Sequence, residues 1–151
     1  MSQSLSAVHI HLVFSTKQRR PFLGDAQLQG ELHSFLGGIS KQLDCPPTRV
    51  GDATDHVHIL ARLGRTISQA DWVKELKRVS THWLKKERAG FADFAWQAGY
   101  GAFSVSQSNL ADVERYILEQ AKHHQRMDFK EELRALYARH NLAIDERYVW
   151  D

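Results

Sequence analysis

Apolar positions recur every second residue over residues 5–16, where Val8, Ile10, Leu12 and Phe14 alternate with Ala7, His9, His11 and Val13. A period of two predicts a first β-strand. The polar run Lys17-Gln18-Arg19-Arg20 ends it, and Pro21 holds its predecessor in an extended conformation. The period then lengthens. Leu28, Leu32, Phe35, Leu36, Ile39 and Leu43 recur at helical spacing behind Asp25, a good N-cap residue, and predict a helix to about residue 43 that covers one sheet face. Pro46-Pro47 forces a break, residues 48–51 predict a second strand, and residues 52–55 a turn. A third strand follows over residues 56–63, stopped by Gly64 and Arg65. Ser68 is placed to cap a helix running to about residue 87, whose buried line takes in Ala70 or Trp72, Val73, Leu76, Val79 or Ser80, Trp83 and Leu84. Residues 89–101, rich in glycine and aromatic rings, predict a packed loop, and residues 103–105 a short last strand. Asn109 can cap a further helix with Leu110, Val113, Ile117 and Ala121 on its buried stripe. A final helix after Met127 buries Phe129, Leu133, Leu136 and Tyr137, ends at Asn141 and leaves a terminal arm.

Composition narrows the picture. The chain, 151 residues long, suits one domain over 1–151, with a tyrosine-bearing helix at 109–126 and a C-terminal helix and arm at 128–151. Its formal charge of +2 combines a mildly basic body with a mildly acidic tail, which permits a nucleic-acid partner without demanding one. Cys45 is the only cysteine, so an intrachain disulfide and a cysteine-rich zinc site are excluded, in keeping with a reducing compartment. No stretch is apolar enough to span a bilayer, and no secretory leader pattern opens the chain, so the expectation is a cytoplasmic protein without a membrane partner.

The candidate chemistry centres on Asp55-His56-Val57-His58-Ile59-Leu60. On a strand His56 and His58 share one face while Val57 and Ile59 take the other. A same-face imidazole pair can bind a metal ion; a solvated histidine pair is the plain alternative. His9-Ile10-His11 repeats the pattern and competes with it on spacing alone. Tyr116 and Gln120 are neighbours at i,i+4 on the margin of their helix's buried face, with His123 and His124 one turn further on. Gln120 can add an amide oxygen to the two imidazoles, and with phosphate oxygens and water this set accommodates Mg²⁺ or Mn²⁺. Lys17, Arg19 and Arg20 at the end of the first strand, and Lys74, Lys77 and Arg78 on the second long helix, are candidate phosphate contacts or simply solvated charges.

These residues together carry a resemblance. The ordered set is His11-Leu12-Val13-Phe14-Ser15-Thr16-Lys17 with Arg19-Arg20, Asp55 to Leu60, Leu76-Lys77-Arg78-Val79-Ser80, Trp96-Gln97-Ala98-Gly99-Tyr100, Tyr116-Ile117-Leu118-Glu119-Gln120, His123-His124 and Asp145-Glu146-Arg147-Tyr148-Val149-Trp150. It resembles the single-tyrosine transposases of the IS200/IS605 insertion-sequence family, within the histidine-hydrophobic-histidine nucleases. The resemblance implies an α+β fold: a ferredoxin-like antiparallel sheet with helices packed on one face, plus a helical C-terminal extension. It also implies a homodimer, with active sites that can be shared between subunits, acting on single-stranded DNA with hairpins at insertion-sequence ends. Tyr116 would be the nucleophile, and His56, His58 and Gln120 the ligands of a divalent metal, Mg²⁺ first and Mn²⁺ as a substitute. His11 would lie near the site on the adjoining first strand, and His123 and His124 are candidates for a supporting or base role.

The expected activity is cleavage and rejoining of single-stranded DNA through a 5′-phosphotyrosine, which conserves the phosphodiester linkage and needs no ATP. Two other classes compete with it: a metal-dependent phosphoesterase that uses water, and an inactive regulator that binds hairpin DNA without cutting it.

Overall fold

The structure, a computed structural model, describes residues 2–119 and 127–151. Four strands, β1 (His9–Ser15), β2 (Pro47–Asp52), β3 (His56–Arg62) and β4 (Gly101–Val105), form one sheet in the order β2-β3-β1-β4, and all its pairings are antiparallel. Among the described residues the α-helices are α1 (Ala26–Gln42), α2 (Gln69–Glu87), α3 (Leu110–Leu118) and α4 (Phe129–Arg139). This is the α+β antiparallel arrangement that the resemblance implies. The first strand is shorter than expected, because β3 and β4 reach only as far as Arg62 and Val105, the partners of His9. Leu5 and Val8, beyond that point, are exposed.

The period of two sorts the sheet into two faces. Ile10, Leu12 and Phe14 of β1 and Val57, Ile59 and Ala61 of β3 enter a core with Leu28, Leu32 and Leu36 of α1 and Trp72, Val73 and Leu76 of α2. Each such aliphatic side chain contributes about 1.5–3 kcal/mol on full burial. Two buried indoles in this region find acceptors: Trp72 Nε1 donates to Ser40 Oγ at 3.0 Å and Trp96 Nε1 to Ser80 Oγ at 2.9 Å. The opposite face carries Val13 and Phe103, covered by Phe129, Leu133 and Leu136 of α4.

Helix ends follow local chemistry. Asp25, Ser68 and Asp128 each accept from the backbone amide three residues on, at 3.1, 3.0 and 2.9 Å. Asn109 differs from expectation: a short 3₁₀ turn (Gln107–Asn109) leads into α3, and the Asn109 side chain makes no capping bond. Asn141 closes α4 as expected, with φ 58° and the paired bonds Asn141 N to Ala138 O and Leu142 N to Tyr137 O of a left-handed helix end.

Helix α3 lies directly on β2. A Cβ built on Gly51 would stand 2.6 Å from Ile117 Cγ2 and 2.9 Å from the Ile117 carbonyl oxygen, so only glycine lets the helix approach this closely. Arg49 of β2 also donates to Glu114 of α3 at 2.7 Å. Gly51→Ala is expected to push α3 off the sheet and destabilise the fold by about 1–3 kcal/mol, measured by urea denaturation; an unchanged midpoint would contradict this packing.

Candidate active site

His56 and His58 project from β3 on the face away from the main core, and both are fully buried. Register explains their company: His56 pairs with Ser15, His58 with Val13, and Leu60 with His11, so His11 shares their face. His11 Nε2 lies 2.8 Å from His58 Nδ1, and the two rings stack at 5.0 Å between centroids. Asp55 Oδ1 lies 2.7 Å from His56 Nδ1 and fixes that ring from behind. His9, on the same strand face as His11, pairs with Arg62 at the far end of the strand and does not join the cluster.

The third member of the cluster is a residue that sequence reading missed. Glu132 of α4 is buried to 1 % exposure and places Oε1 2.9 Å from His58 Nε2 and 3.3 Å from His56 Nε2. Its other oxygen, Oε2, accepts a hydrogen bond from the Tyr116 hydroxyl at 2.6 Å. One carboxylate therefore joins both histidines to the tyrosine of the same chain. The signal was present in the sequence: Phe129, Leu133 and Leu136 form the buried stripe of α4, and Glu132 falls within that stripe three residues after Phe129. A carboxylate on an apolar helix face is rarely buried without a partner.

Charge follows this geometry. Burial opposes ionisation of Glu132, but its bonds to His56 and His58 outweigh that cost and hold the carboxyl well below the usual carboxylate range. Burial likewise opposes the charge on His56, yet the bonds to Asp55 and Glu132 win and its pKa rises. His11 goes the other way, because burial and then the neighbouring His58 push it well below its ordinary value. A neutral His11 can accept from or donate to His58 Nδ1, and so sets which nitrogen of His58 is free to face Glu132.

The donor set fits a metal ion. Ligand atoms of His56, His58 and Glu132 all lie within 4.8 Å of one another, so two imidazole nitrogens and a carboxylate oxygen are close enough to share one ion. Asp55 and His11 orient the two rings as supporting partners do around metal centres.

Tyr116 is half-buried, its ring edge-on to His11 and His58 at centroid distances of 6.1 and 5.8 Å. Gln120, His123 and His124, together with the end of the expected tyrosine helix, lie outside the described residues. Lys17 and Arg19 sit in a short 3₁₀ turn after β1. Arg20 pairs with Asp93 at 2.7 Å and stands over the Phe22 ring. Lys74 and Arg78 are exposed on α2, Arg78 bonded to Glu75 at 2.7 Å. Lys77 turns inward, where its ammonium donates to the carbonyls of Gln97, Ala98 and Gly99 at 2.8, 3.2 and 2.7 Å. Burial pulls its pKa down to about 8.

Lys77 thereby organises the loop before β4. Gln97 Oε1 accepts from Ser15 N at 2.8 Å, and Gly99 N donates to Asp151 O at 2.8 Å, so the loop also bridges the end of β1 to the end of the chain.

The family model described as "Transposase IS200 like" matches residues 4–120, and the chain belongs to that family. Glu132 lies beyond the matched region. A crystal structure of a Deinococcus radiodurans protein described as a transposase, at 1.90 Å resolution, superposes with a TM-score of 0.61 at 23 % identity, covering 80 % of this chain and 98 % of that one. A REP-associated tyrosine transposase bound to a REP hairpin superposes with a TM-score of 0.60 at 15 % identity, covering 82 % and 74 %. These two likenesses concern the fold. No curated protein matches the sequence. Among the described residues no helix is long and apolar enough to cross a membrane.

Lys77→Met is expected to leave three carbonyls without their donor and to cost about 1–3 kcal/mol, read from the urea midpoint, with increased proteolysis within residues 96–100. Unchanged stability and cleavage pattern would show that the ammonium does not hold the loop.

Proposed function

We propose that this transposase cleaves and rejoins single-stranded DNA at hairpin-bearing insertion-sequence ends through a covalent 5′-phosphotyrosine at Tyr116. The observation that carries the reading is the Glu132 carboxylate, bonded on one oxygen to the Tyr116 hydroxyl and on the other to the histidine pair. A nucleophile and a prospective metal centre are thus held by one side chain.

His56, His58 and Glu132 would hold a divalent metal, Mg²⁺ or Mn²⁺, with Gln120 proposed as a further ligand. When bound, the ion neutralises charge on the scissile phosphate. The chain's own groups do the rest. Glu132 Oε2 accepts the phenol hydrogen bond and aims Oη. Tyr116 Oη attacks phosphorus in line: the P–Oη bond forms, the P–O3′ bond breaks, the phenol proton departs to solvent, and the leaving O3′ takes a proton from solvent. Attack by a 3′-hydroxyl on the same phosphorus reverses these steps and joins two strands without ATP. Lys17, Arg19, Arg20, Lys74 and Arg78 are proposed contacts to the DNA backbone. Lys77 serves this reading by supporting the loop. A homodimer would bring two DNA ends together, each served by a tyrosine and a histidine pair.

The test is incubation with single-stranded DNA spanning the ends of the flanking element, with Mg²⁺, Mn²⁺ or chelator, followed by denaturing electrophoresis. The wild type should form a metal-dependent covalent adduct, and Tyr116→Phe should form none. Hydrolysis that survives Tyr116→Phe would favour the water-using phosphoesterase, and hairpin binding without cleavage the inactive regulator. Glu132→Ala and His56→Ala should each weaken Mn²⁺ binding by at least ~10-fold in titration calorimetry, whereas His9→Ala should not; retention of affinity by the Glu132 variant would remove that residue from the ligand set.

A further inference from the structure

A cavity of about 310 Å³ opens beside the tyrosine, between α3 and α4. Its volume lies at the small end of the range for ligand pockets, about 300–1,000 Å³, which suits one planar group rather than a folded segment. Tyr116, Val113 and Leu136 give it an apolar wall, and Asn109, Asp112 and Arg139 a polar rim. His11, which also lines it, bonds His58 at 2.8 Å and so joins the cavity to the histidine pair.

The rim is mixed in sign and exposed. The Asn109 side chain makes no capping bond at the start of α3. Among the described residues Asp112 pairs with Arg115 at 3.4 Å, and both are exposed. Arg139 is exposed on the last turn of α4. An acid beside a guanidinium disfavours a phosphate as the main occupant. A neutral flat ring with donors and acceptors on its edge satisfies both, and its apolar faces suit the wall.

We propose that this cavity holds the base of the nucleotide that remains attached to Tyr116, and that Asn109 and Asp112 read its edge. The inference rests on the phosphotyrosine reading. In-line attack sends the leaving O3′ and its nucleotide away from the tyrosine, so a cavity walled by the tyrosine serves the retained side. Asp112 can only accept hydrogen bonds, and Asn109 both accepts and donates; together they favour bases with an exocyclic amino group over thymine.

A deoxynucleoside 5′-monophosphate is the chemical image of the retained nucleotide and requires no knowledge of the DNA site. The four 5′-monophosphates and deoxyribose 5-phosphate are titrated into the full chain with Mn²⁺ by calorimetry. The best nucleotide should bind at least ~10-fold more tightly than deoxyribose 5-phosphate, with the thymine nucleotide weakest of the four. Asn109→Ala combined with Asp112→Ala should bring the four to within ~2-fold of one another while leaving deoxyribose 5-phosphate unchanged. The proposal is overturned if the bases add nothing over deoxyribose 5-phosphate, if the double variant keeps the wild-type order, or if nothing binds up to ~10 mM. The wild-type comparison stands whether or not the double variant folds. Base-dependent binding without a DNA adduct would sink the phosphotyrosine reading and leave the pocket standing; an adduct with base-independent binding would do the reverse.

Discussion

A carboxylate buried to the extent of Glu132 stays ionised only where hydrogen-bond donors surround it, and its surroundings are two imidazoles and a phenol. That requirement ties three segments distant in sequence: β3, the tyrosine helix α3 and the C-terminal helix α4. Removing one partner of such a cluster leaves the rest uncompensated, which typically costs about 3–5 kcal/mol, so the cluster constrains the fold as well as the chemistry.

The sheet divides its duties by face. One face packs α1 and α2 through Leu, Ile, Phe and Trp side chains into the larger core. The other carries the histidines under α3 and α4, where polar groups satisfy one another. Strand alternation makes the division inevitable, since Val57 and Ile59 cannot face the main core without turning His56 and His58 to the opposite side. The glycine at position 51 completes it by letting α3 settle against β2, one strand away from the histidines.

Motif residues outside the cluster take structural work. Lys77 ties the loop before β4 to α2, Gln97 ties it to the end of β1, and Asp151 accepts from its Gly99 amide. A lysine that reads in sequence as part of a basic surface is thus largely withdrawn from it, while Lys74 and Arg78 remain exposed on the same helix.

Element types and order were legible in the sequence because they rest on local physics: periods of two and near four, acceptor side chains at helix starts, and Asn141 at a left-handed helix end. The pairing of His56 with His58 on one face followed from the same alternation. What only the tertiary structure decided is which distant groups meet. The expectation of a third ligand rested on Gln120, four residues from the tyrosine, because helical spacing links near neighbours; Glu132 reaches the histidines by the docking of α4 across the sheet, which no local period encodes. Lys77 changed role for the same reason, since whether a cation faces solvent or three carbonyls depends on a loop twenty residues away. Periodicity determines which way a side chain points along its own element, whereas the partner it finds there depends on burial and charge balance between elements.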